Sequence, residues 1–137
     1  MSHTMGYLDW TDALDVGVDA MNREHQRLID LMNELHTGNE RGENKAMLLS
    51  RLDKLAKWTV SHFSHEEAYL ESIRYPKLTS HRRIHADLLR QLDGHVTSFR
   101  ESDHKTLPKE LFTFLKLWLT AHIQGIDAQY SPVRKSA

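Results

Sequence analysis

Apolar residues recur along this chain at spacings of three and four, the period of one face of an α-helix. The first stripe is Met21, His25, Leu28, Met32 and Leu35, in a helix predicted to begin near Asp19, whose side chain suits an N-cap. A second helix runs from about residue 43 to 72, with Leu48, Leu52, Leu55, Thr59, His62, Glu66 and Leu70 in its stripe. A third starts just after Pro76 and carries Leu78, His81, His85, Leu88, Leu92, Val96 and Phe99. The fourth opens around Thr106, Leu107 and Pro108, proline being tolerated in a first turn, and faces Leu111, Leu115, Trp118, Leu119, His122 and Ile126 inward. Between them lie punctuating stretches: Gly38 to Gly42, Tyr75-Pro76, about 102 to 108, and Ser131-Pro132. Gly94 interrupts the third helix at a cost of about 1 kcal/mol relative to alanine.

Four helices with short connections predict an all-α fold, an antiparallel up-down-up-down four-helix bundle. Residues 6 to 18, including Trp10, show no clear period and are expected to form an irregular N-terminal arm across the bundle. Residues 1–5 read as an appended leader, and 131–137 as a polar tail or cut linker, which leaves 6–130 as the folded domain.

Composition narrows the class. With 137 residues, 39% hydrophobic and 27% charged, the chain suits one domain with a real core and is too short for two. A formal charge of -1 gives no basic face for nucleic acid. No apolar run approaches the ~20 residues of a membrane helix. No apolar signal-peptide core is present either, so the default expectation is a cytoplasmic protein. Without cysteine there is neither a disulfide nor a thiolate metal site. Any metal must be held by nitrogen and oxygen.

The chain has ten histidines, and their placement is not random. His25 lies near the start of the first helix and His81 and His85 near the start of the third. His62 and Glu66 lie near the end of the second, and His122 and Asp127 near the end of the fourth. In an antiparallel bundle all seven fall at one end, on inward positions. His62 and Glu66 are i,i+4, as are His81 and His85, so each pair projects from one face. His122 and Asp127 are i,i+5, which a regular helix splays by about 140°. Either the helix loosens near Gly125, or Asp127 sits on a distorted last turn.

A lone inward histidine is usually a hydrogen-bonded core residue, and one i,i+4 pair arises by chance. Seven such groups on one apolar level are different, because each costs several kcal/mol to bury without a partner. One zinc takes about four ligands, too few to employ this set. Two octahedral metals offer about twelve positions. Five imidazoles, two bridging carboxylates and a bridging oxide or hydroxide fill about eleven, leaving room for a small ligand. The donors suit iron, zinc, copper or manganese rather than calcium or magnesium. The set is imidazole-rich, unlike carboxylate-rich oxidative sites, and offers no evident proton donor at the open position; it suits holding a ligand rather than breaking it. His65 turns outward beside Glu66, and His36, His95 and His104 do not converge.

The ordered set of motifs resembles the bacterial hemerythrins from Trp10 to Asp127. It comprises Asp19-Ala20-Met21-Asn22-Arg23-Glu24-His25-Gln26-Arg27-Leu28, His62-Phe63-Ser64-His65-Glu66-Glu67, Tyr75-Pro76, His81-Arg82-Arg83-Ile84-His85, and Trp118-Leu119-Thr120-Ala121-His122-Ile123 with Asp127. The resemblance implies an oxo- or hydroxo-bridged pair of iron ions that binds dioxygen reversibly. It assigns His81, His85 and His122 to the saturated iron, His25 and His62 to the iron with an open position, and Glu66 and Asp127 to the bridges. Phe63, Leu28 and Ile126 are candidates for the wall of a dry oxygen pocket. Where many members carry methionine after the Glu-Glu pair, this chain reads Ala68-Tyr69-Leu70. The expected role is non-enzymatic: a stand-alone oxygen carrier, or an oxygen or redox sensor domain joined to a signalling output. A di-iron oxidase, peroxidase or nitric oxide reductase ranks below these, and a structural zinc site last.

Overall fold

The computed structural model describes residues 6–131 and contains four α-helices and two single turns of 3-10 helix. The helices are α1 (Asp19–Glu40), α2 (Lys45–Ser72), α3 (Leu78–Glu101) and α4 (Lys109–Gly125). The 3-10 turns, Asp12–Leu14 and Asp127–Tyr130, flank the bundle in sequence. The leader at 1–5 and all of the tail beyond Ser131 lie outside the described residues. No helix among the described residues is long and apolar enough to cross a membrane.

The stripes of α1 and α2 bury as their periods require, whereas in α3 Leu78 and Leu88 are only half-buried. In α2 the buried set is the predicted one with Phe63 added. Thr59, at its middle, donates its hydroxyl to the Leu55 carbonyl at 2.8 Å, so the buried oxygen is not left unpaired. The arm, which has no period, is held by pairing instead. The side chain of Asn33 accepts from the Leu8 N–H at 2.9 Å and donates to the Leu8 carbonyl at 2.7 Å, and Leu8, Leu14 and Val16 are buried.

The helix ends differ from expectation in four places. Asp19 is the first residue of α1 rather than its cap. Val18 holds the cap position, without a side-chain bond, and Asn22 reaches back to the Val16 N–H at 3.0 Å. α1 continues through Gly38, where an added Cβ would collide with the Glu43 carboxylate that pairs with Arg51. The stop is Gly42, whose φ of 75° favours glycine. Pro108 occupies the cap of α4, just outside its first turn. Finally, α4 ends at Gly125, so Ile123 rather than Ile126 enters the core and Ile126 is only half-buried. Asn44 caps α2 by accepting from the Met47 N–H at 2.8 Å.

Candidate metal centre

Antiparallel packing brings the N-terminal ends of α1 and α3 level with the C-terminal ends of α2 and α4. At that level the structure gathers His25, His62, Glu66, His81, His85, His122 and Asp127, all buried. Asp127 reaches the cluster because α4 stops at Gly125 and a 3-10 turn begins at Asp127. The i,i+5 spacing is therefore resolved by ending the helix, the second of the two alternatives its geometry allowed. His65 and His104 are exposed, His36 stacks on Tyr7, and His95 meets Phe114 at a tilt, so none of these four joins the seven.

The seven divide into two groups that share both acids. Glu66 and Asp127 stand with His81, His85 and His122 in one group and with His25 and His62 in the other. Each carboxylate turns one oxygen to each side. Glu66 Oε1 lies 2.8 Å from His81 Nε2 and 3.0 Å from His85 Nε2, while its Oε2 lies 3.5 Å from His25 Nε2 and 3.7 Å from His62 Nε2. Asp127 Oδ1 lies 3.0 Å from His81 Nε2 and 3.1 Å from His122 Nε2, and its Oδ2 lies 3.2 Å from His25 Nε2. All five imidazoles approach through Nε2.

Several of these close approaches are misaligned for hydrogen bonding. His25 Nε2, His85 Nε2, His122 Nε2 and both Asp127 oxygens are buried without a hydrogen-bond partner. Orphaned donors and acceptors are costly in a dry core, yet here they gather within 4.8 Å of one another in each group. Imidazole nitrogens and carboxylate oxygens so gathered fit a pair of transition-metal ions.

Three residues that periodicity does not single out complete the surroundings. Tyr130 donates its hydroxyl to Glu66 Oε2 at 2.8 Å. A polar donor therefore stands on the two-histidine side, where none was expected. Glu24 lies 2.7 Å from His62 Nδ1, and Glu67 2.8 Å from His85 Nδ1. Outer carboxylates of this kind orient ligand histidines. The adjacency of Glu24 to His25 and of Glu67 to Glu66 was the available signal. Of the apolar candidates, Phe63 stacks on His85 with ring centroids 3.7 Å apart and planes 1° from parallel, Leu28 is buried, and Ile126 is half-exposed.

The charges are mutually dependent. Burial alone would lower the pKa of His25 and His81, but the nearby Asp127 and Glu66 carboxylates raise both to about 9. Burial would likewise raise Glu66, and the imidazoles around it hold it well below the usual carboxylate range. Asp127 is also lowered: burial and the Glu66 charge oppose its ionisation, and His122 and His25 overcome them. Burial, with the charges of Glu66 and Asp127, raises Tyr130 and keeps its hydroxyl a donor.

The family model described as "Hemerythrin HHE cation binding domain" matches residues 16–133. The chain is 31% identical over 127 residues to a bacteriohemerythrin of Stenotrophomonas maltophilia, covering 93% of this chain and 81% of that protein. It is 30% identical to a myohemerythrin of Riftia pachyptila, covering 88% of each. Among solved structures, wild-type hemerythrin superposes with a TM-score of 0.82 at 25% identity, covering 91% of this chain and 95% of that one.

Proposed function

The chain belongs to the hemerythrin family, and on that premise we propose that residues 6–130 form a domain that binds dioxygen reversibly at a di-iron centre. The observation that supports this reading best is the division of each acid's two oxygens between a three-histidine and a two-histidine group. His81, His85 and His122 would hold one iron, His25 and His62 the other, with Glu66 and Asp127 shared. An iron pair held by these residues would supply reversible electron transfer to dioxygen. The unequal histidine count, three against two, would leave room for a small ligand on the His25 and His62 side.

The protein's own part is to hold these donors still and keep water away. Glu24 and Glu67 orient His62 and His85. Phe63, against the rings of His85, His62 and His122, gives the site an apolar wall that the buried Leu28 would extend, and Tyr130 keeps one Glu66 oxygen engaged. Reversible binding of this kind serves a stand-alone oxygen carrier or the oxygen- or redox-sensing domain of a larger signalling protein. The native reading frame distinguishes them, by stopping near Ala137 or by running on into an output domain.

The test is spectroscopic. The iron-loaded protein, reduced without air and then exposed to oxygen, should gain a visible absorption band that disappears when oxygen is removed. Sustained oxygen or nitric oxide consumption under reductant, with no reversible band, would instead favour the enzymatic alternative.

A further inference from the structure

Glu24 does not join the seven converging side chains, although it precedes His25 directly. About 100° further round α1, it faces α2 instead. There its carboxylate spans two histidines of that helix: Oε1 is 2.7 Å from Nδ1 of His62, and Oε2 is 2.9 Å from Nδ1 of His65. The rings differ sharply in environment, His62 being 1% exposed and His65 53%. One carboxylate therefore joins a fully buried imidazole, whose Nε2 faces Glu66, to an imidazole in solvent.

This arrangement is braced. Trp58 donates its indole N–H to the Glu24 backbone carbonyl at 3.3 Å, and its ring meets the His65 ring edge-on at a centroid distance of 6.4 Å. Trp58, His62 and His65 lie four and three residues apart on α2 and so share a face. On the three-histidine side a parallel chain runs from Arg82 through Glu67 to His85, with Arg82 Nε 3.4 Å from Glu67 Oε1. Each inner group is thus tied to one outer carboxylate, and each outer carboxylate to one surface cation or donor.

A carboxylate at Nδ1 holds the proton on that nitrogen, directs the Nε2 lone pair inward and makes the ring a stronger donor. An N–H on the second carboxylate oxygen draws electron density the other way. We propose that Glu24 and His65 are positioning residues acting through His62, Glu24 strengthening it as a metal donor and His65 tempering that effect from the surface. The site's electronic properties then answer to an exposed side chain that touches no inner group.

The proposal rests on the di-iron reading, and its test separates the two. Iron content and the midpoint potential of the iron-loaded protein are measured at one fixed pH for the parent chain, Glu24→Gln and His65→Ala. Glu24→Gln keeps an acceptor but removes the charge, so the potential should rise. His65→Ala frees the carboxylate, so the potential should fall. Opposite shifts at unchanged iron content support the relay; shifts of the same sign, or none, overturn it. A parent chain that takes up no iron pair defeats the di-iron reading itself. The relay then stands or falls on nitrogen NMR of the metal-stripped chain. There the His62 Nδ1 resonance should move in His65→Ala, and an unmoved resonance refutes the relay. His65 is exposed, so that variant folds even if Glu24→Gln does not.

Discussion

Tyr130, on the turn that follows α4, donates its hydroxyl to Oε2 of Glu66 in α2 across 2.8 Å, joining residues 64 apart in sequence. The bond links the end of the fold to the acid shared by both histidine groups. Tyr130→Phe removes it and leaves a buried carboxylate oxygen one donor short. The expected cost is about 1–3 kcal/mol of stability, measured by denaturant unfolding. Both irons should be retained, since the residue touches the shared acid and not the histidines' inward nitrogens.

Phe63 lies parallel to His85 at 3.7 Å and contacts the rings of His122 and Trp118 at 6.0 Å each. Phe63→Ala is expected to cost about 3–5 kcal/mol, the range for truncating a buried aromatic. It also opens the cluster to water. Autoxidation of the oxygenated protein, followed by loss of its visible band, should accelerate.

The pH dependence of the metal-stripped protein has a definite sign. His25 and His81 are raised to about 9 from an ordinary value of 6.5, so their stabilisation is complete below 6.5 and is lost as pH rises through 9. Glu66 and Asp127 are lowered, so theirs is present above the ordinary carboxylate range and is lost on acidification. Without metal, the melting temperature should fall between pH 6.5 and 9. With metal it should not follow that fall, because the ion takes the place of the protons on the same nitrogens. Identical profiles with and without metal would contradict this assignment.

How much of this was legible beforehand depended on the kind of interaction. Helical period alone placed Leu48, Leu52, Leu55, His62 and Glu66 on the buried face of α2, because burial follows the turn of the helix. The height of the seven donors followed from antiparallel connection. Helix ends were less legible: a cap is a matter of backbone conformation, and Val18 holds the place that Asp19 was expected to fill. Ile123 and Ile126 could not be told apart without knowing that α4 stops at Gly125. Tyr130, Glu24 and Glu67 act on partners in other elements, or on the far side of a ring, and no period within one helix encodes that.

Gly94 offers a prediction far from the metal. It lies inside α3 on an exposed face, and an added Cβ there would meet nothing within 4 Å. Gly94→Ala should stabilise the protein by about 1 kcal/mol, visible as a higher melting temperature with no change in iron content. A loss of stability would show that the exposed face of α3 is engaged in some contact.

Metal analysis of the purified protein, together with the variant His122→Ala, tests the di-iron assignment most directly. His81, His85 and His122 on one side and His25 and His62 on the other call for about two irons per chain, and truncating His122 should lose metal and loosen the end of α4. A single zinc per chain, or a variant that keeps both irons, would contradict it.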